Sequence, residues 1–158
     1  ESPQAPAHRE HKGLKTAYRY IGEIATADIA FEATGASLEE AFTAAAEALT
    51  NVMIEDLDRI ERKRQVEVRL KNIDADMLLF DFLGEIVYYK DAERLFLRVD
   101  GISVKKDDSG YSLSATLSGE EVDPKKHPLG ADVKAVTLHM FNLERTDGGW
   151  KATVVLDI

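Results

Sequence analysis

No cysteine occurs in the 158 residues. That absence excludes a disulfide framework, a thiolate zinc site, an iron–sulfur cluster and a cysteine nucleophile, and it suits a reducing compartment. No apolar run approaches the roughly 20 residues of a membrane-spanning helix, and the opening Glu1 to Thr16 lacks the apolar stretch of a signal peptide. The cytosol is therefore the expected location. A Walker loop, a G-x-G-x-x-G fingerprint and a G-x-S-x-G nucleophile elbow are all missing. No catalytic residue set of a free-standing enzyme can be assigned.

Positive charge is also in short supply. Against 29 Asp and Glu stand 20 Lys and Arg, for a net −9. The segment Glu1 to Thr16 holds Arg9, Lys12 and Lys15 against Glu1 and Glu10, a balance of +1, which leaves −10 for the remainder. Such a domain repels phosphate backbones on average, so direct tight nucleic-acid binding is not expected. An acidic surface suits metal ions or a protein partner with a basic face. What is present is 44% hydrophobic residues on a chain of single-domain length, enough for a core without staples.

Residues 1–16 contain two of the four prolines and no hydrophobic period, which predicts a disordered tail before a domain over 17–158. His8 and His11 in that tail could chelate a metal at i, i+3 spacing only in a helix, which the nearby prolines oppose. Tyr18 to Ala33 has strand composition, with Ile29 and Phe31 on one face and Asp28 on the other. Ser37-Leu38-Glu39-Glu40 matches a capping box, and the apolar stripe from Leu38 to Met53 predicts a helix. Gln65 to Lys71 alternates as a strand, and Asp74 or Asp76 caps a second helix that buries Leu79, Phe82, Leu83 and Ile86. Arg59 to Arg64 reads as a solvated connector.

Strands follow around Leu95 to Val99 and Tyr111 to Leu117, with a bulge at Asp100-Gly101 where the apolar parity slips. Ser112, Ser114 and Ser118 form the solvated side of the second of these. Val133 to Leu143 is apolar at both parities, which predicts a central strand covered on both faces. Asp147-Gly148 then turns the chain into the last strand, Trp150 to Ile158. The fold class expected is α+β, a mostly antiparallel sheet with two helices packed on one face.

Asp157 closes an apolar strand that has little use for a charge. A two-residue turn at Asp147-Gly148 places Asp157 opposite Leu138, with Lys134 roughly 13 Å further along the same face. The carboxylate of Ile158 stands beside it if that residue ends the chain. Clustered carboxylates without cysteine favour an oxygen-loving cation, Ca²⁺ or Mg²⁺, over zinc; the alternative is a satisfied edge charge. His127, in the polar connector Gly119 to Pro128, reads as an exposed loop residue, and His139 as a hydrogen-bonded core histidine.

Four stretches in this order resemble the archease family: ATADIAFEATGASLEEAF at 25–42, MLLFDFLGEIVYY at 77–89, GEEVDPKKHPLGADVKAVT at 119–137 and the terminal LDI at 156–158. The resemblance covers Tyr18 to the end. It implies a small metal-binding accessory protein of an RtcB-type tRNA-splicing ligase, promoting guanylylation of the ligase histidine with GTP and repeated turnover. It also implies the metal ligands Asp28, Asp157 and Ile158, and a functional surface at Lys134. The same matched run contains Glu120 and His127, counted with that surface without a role. The family's usual H-T-A-D reads Ala25-Thr26-Ala27-Asp28 here, so a role for that histidine does not transfer. Two alternatives remain open: a chaperone-like modulator of a tRNA methyltransferase, and a metal-dependent hydrolase with Glu120, His127 or Lys134 as its base.

Overall fold

The structure is a computed structural model that describes residues 9–10, 16–22 and 27–158. His8, His11 and Ala25, and most of the segment expected to be a tail, lie outside the described residues. The strands are β1 Arg9–Glu10, β2 Thr16–Gly22, β3 Asp28–Gly35, β4 Arg64–Asn72, β5 Leu95–Asp107, β6 Gly110–Glu121, β7 Ala135–Thr146 and β8 Gly149–Asp157. Helix α1 spans Leu38–Met53 and α2 spans Ala75–Glu93, with a 3-10 turn at Leu57–Arg59.

The expected α+β class with two helices is observed. Its antiparallel strands divide into a five-stranded sheet, ordered β1-β2-β3-β8-β7, and a three-stranded sheet, ordered β4-β6-β5. Both helices touch strands of both sheets and so lie between them. The Asp100 bulge is found, as a register shift between Val99 and Gly101.

Local chemistry fixes α1 where the sequence places it. Ser37 Oγ accepts the N–H of Glu40 at 3.1 Å, and the Glu40 carboxylate accepts the N–H of Ala36 at 2.8 Å, one residue before the cap. From Ala41 on, almost every α1 side chain is buried rather than a single stripe, because the helix is covered on two sides. Phe42 stacks on Phe82 of α2 with centroids 6.2 Å apart, tying the helices together at the centre of the core. Gly119 lets β6 pass against β5: a Cβ there would sit 1.6 Å from the Phe96 carbonyl oxygen.

β7 departs from expectation. It is an edge strand, not a central one, and Leu138 and Met140 are 60% and 53% exposed. Its pairing with β8 follows the two-residue turn from Thr146↔Gly149 to Asn142↔Thr153, then slips, so that Thr137 faces Val155. Met140 sits within the slip at φ 56, a left-handed conformation unusual for a side chain of this kind. Of the apolar residues that suggest two-sided cover, Leu138 and Met140 are the ones turned out to solvent, whereas Val133 and Val136 are buried. His139 lies there too and is exposed, not in the core. Ser118, expected on the solvated side, is buried because the bulged Asp100 accepts its hydroxyl at 2.8 Å.

Candidate functional site

β3 and β8 are neighbours, and their register sets Asp28 directly across from Asp157. The N–H of Ile158 donates to the Ala27 carbonyl at 2.9 Å. Positions 27 and 158 are therefore the hydrogen-bonded pair, and positions 28 and 157 the intervening pair, where opposite side chains approach most closely. Like charges directly opposite destabilise a sheet, yet among the described residues neither carboxylate has a side-chain hydrogen bond or an ion pair. The oxygen donors fit a hard divalent cation, with the Ile158 main chain adjacent. Among the described residues no third Asp, Glu or His joins the two carboxylates, so any further ligands would come from main chain or water.

The slip in β7 changes what lies beside this pair. Asp157 faces Ala135, not Leu138, and the Lys134 N–H donates to the Asp157 carbonyl at 2.8 Å. The separation of roughly 13 Å expected from a straight ladder is thus replaced by adjacency. Lys134 is exposed and, among the described residues, makes no ion pair.

Lys134 ends a connector, 122–134, that has no regular structure but is held along its length. The Arg94 carbonyl accepts the N–H of Val122 at 2.7 Å, and that of Pro128 accepts the N–H of Glu55 at 2.8 Å. The N–H groups of Gly130 and Ala131 donate to Met53 and Val52, each at 2.9 Å. Gly130 is required for that approach, since a Cβ would lie 2.2 Å from the Val52 carbonyl oxygen. Lys90 of α2, its side chain 10% exposed, donates to the Val133 carbonyl at 2.6 Å and to Asp132 at 2.8 Å. Burial pushes the Lys90 ammonium down, but its bonds to Asp132 and Asp91 outweigh that and leave its pKa raised.

Glu120 and His127 anchor the other end of the connector. His127 is fully buried, not an exposed loop residue, and packs edge-on to Phe96. Its Nδ1 accepts the N–H of Asp123 at 2.9 Å, which leaves the ring proton on Nε2, 3.0 Å from Glu120 Oε2. Glu120 is 6% exposed and also accepts the Glu61 N–H at 2.8 Å and the Lys126 ammonium at 3.0 Å. Burial raises its carboxyl, but the Glu61 N–H, Lys126 and His127 together hold it down at about 2. Neither residue is a surface group. Both are committed to each other, so neither is free to act as the base a hydrolase would need.

Sequence reasoning missed Lys90, Lys126 and Glu61. A signal for Lys90 existed: it continues the spacing of Phe82, Leu83, Ile86 and Val87, the buried face of α2. A lysine on that stripe needs buried acceptors.

Residues 18–158 match the model of the archease protein family. The chain is 39% identical to the archease of Methanosarcina mazei over 142 residues, which is 89% of this chain and 95% of that protein. It is 40% identical to the archease of Pyrococcus abyssi over 134 residues, 84% and 94% of the respective chains. The solution structure of Methanobacterium thermoautotrophicum protein 1598 superposes with a TM-score of 0.77 at 34% identity, over 89% of this chain and 98% of that one. A Thermotoga maritima archease, described as a possible chaperone, shares the fold at a TM-score of 0.56 and 22% identity, over 96% and 99%.

Proposed function

Because the chain belongs to the archease family, we propose that it is a non-catalytic, metal-binding accessory protein of an RtcB-type RNA ligase in tRNA splicing. In that role it promotes attack of the ligase histidine on the α-phosphate of GTP, with release of pyrophosphate, and supports repeated turnover. The observation that carries the reading is the Asp28/Asp157 pair, two adjacent carboxylates without a cationic side-chain partner among the described residues. A bound Ca²⁺ or Mg²⁺ would neutralise the pair and supply a local positive charge. Asp28, Asp157 and the Ile158 main chain would hold it, and Lys134 would stand beside it. The net charge of −9 would steer the protein toward a basic ligase surface.

Labelled-GTP transfer to the ligase tests this, with wild type, Asp157→Asn and Lys134→Ala compared at equal melting temperature. Wild type should stimulate transfer and carry no label itself, while both variants should lose most of the stimulation. Label on this protein, or equal stimulation by all three, would remove the reading. Stimulation of a tRNA methyltransferase with no effect on the ligase would instead favour the chaperone-like alternative.

A further inference from the structure

The three-stranded sheet has an inner face and an outer one. Val68, Leu70, Leu113, Ala115, Ile102 and Val104 point inward to the core. The residues alternating with them face away: Arg69, Lys71, Lys105 and Ser114 are exposed, and Ser103 and Ser112 half-buried. Register aligns the outward residues in rows. Lys71 and Lys105 flank Ser112, and Arg69 and Ser103 flank Ser114. Together with Leu70 and Leu113, these six line a concavity of about 620 Å³. A chain of net charge −9 thus gathers three cations and three hydroxyls on one sheet face.

We propose that this face binds the phosphate backbone of double-stranded RNA. The choice of RNA rests on the ligase reading above; the choice of phosphate does not. Arg, Lys and Ser are the side chains that reach phosphate oxygens in nucleic-acid complexes, fixing register without reading sequence. The exposed rows carry no aromatic side chain, so the face offers neither the stacking platform that single strands use nor the aromatic anchors of a protein interface. Strands about 4.8 Å apart put the two lysines roughly 10 Å apart across the sheet, a span within which a duplex backbone presents more than one phosphate.

Two acids border the patch. Glu67 lies 3.9 Å from Arg69, an exposed and weak pairing, and Asp107 is already engaged by the N–H and hydroxyl of Ser109. Charges further off are screened beyond about 8 Å at physiological salt, so the overall negative charge does not govern this face. Binding is accordingly weak and salt-sensitive, in keeping with the absence of an overall basic surface.

The test is a titration of the full chain with a labelled RNA hairpin stem between 50 and 200 mM salt, with no ligase present. Three neutralised phosphates give a slope of log K against log salt of about −2.7, roughly a 40-fold loss of affinity across that range. The double variant Lys71→Gln, Lys105→Gln should reduce the slope to about −1. Arg59→Gln with Lys125→Gln, which removes the same charge elsewhere, should leave it near −2.7. No binding at 50 mM salt, or equal slopes for the two double variants, would overturn the proposal. Equal affinity for polyglutamate would do so too, by assigning the face to an acidic protein segment. Because no ligase is present, failure here leaves the guanylylation result standing, and failure there leaves phosphate binding standing.

Discussion

His127 Nε2 and Glu120 Oε2 lie 3.0 Å apart inside the protein, and the Asp123 N–H on Nδ1 fixes which ring nitrogen carries the proton. The pair joins the end of β6 to the connector that leads to Lys134. Its chemistry supplies one contribution to stability that acid removes.

Glu120 is held at about 2 in the folded protein against an ordinary value of 4.5. A depressed carboxyl contributes stability that is fully present above 4.5 and is lost as the pH falls toward 2. Glu120→Gln should therefore cost roughly 1.5–3 kcal/mol at neutral pH. It should also flatten the decline in melting temperature on acidification. A variant that declines as steeply as wild type between pH 4.5 and 2.5 would show that other groups dominate.

Removing one carboxylate from the β3/β8 pair should separate metal binding from folding. Without added metal, Asp28→Asn and Asp157→Asn should melt at or slightly above wild type, since a like-charge cross-strand pair costs up to about 1 kcal/mol. Calcium should raise the melting temperature of wild type and of neither variant. An equal calcium shift in all three proteins would place the cation elsewhere.

Lys90→Met keeps most of the apolar stem but leaves the Val133 carbonyl without its ammonium donor. A loss of about 2 kcal/mol is expected at neutral pH. The raised pKa means that this contribution is present below 10.5 and disappears as the pH climbs through the folded value. The stability difference between variant and wild type should thus narrow in strong alkali, as denaturant melts above pH 11 can measure.

Gly130→Ala drives a methyl group into the Val52 carbonyl and should cost roughly 1–3 kcal/mol. Hydrogen exchange should rise first at the amides of Gly130 and Ala131, which bond to Met53 and Val52. Unchanged exchange there would mean that the connector accommodates the methyl without shifting.

Strong local signals carried most of the fold. The capping box at Ser37, the bulge at Asp100 and the tight turn at Asp147-Gly148 each have a short-range cause, and each is found. The failures are all non-local. Nothing in Val133 to Leu143 announces that β7 lies at an edge, so its exposed Leu138 and Met140 imitate a buried strand. The two histidines exchanged roles for the same reason: His139 rides that bulge, whereas His127 is buried by contacts with Phe96 and Glu120 from elsewhere in the chain. For the candidate site, the residue types were legible but their spacing was not, because the slip between Thr137 and Asn142 decides where Lys134 falls.

The interruption of β7 also guards against self-assembly. An outer strand of 12 residues with an unbroken ladder would offer free N–H and C=O groups to any second molecule. The left-handed turn at Met140 bends that row out of line, and the charged Glu144 and Arg145 follow it. A sheet from another copy therefore meets two short, differently aimed segments in place of one template. Shortening the segment between Thr137 and Asn142 until the ladder runs straight would extend that template and favour fibrils.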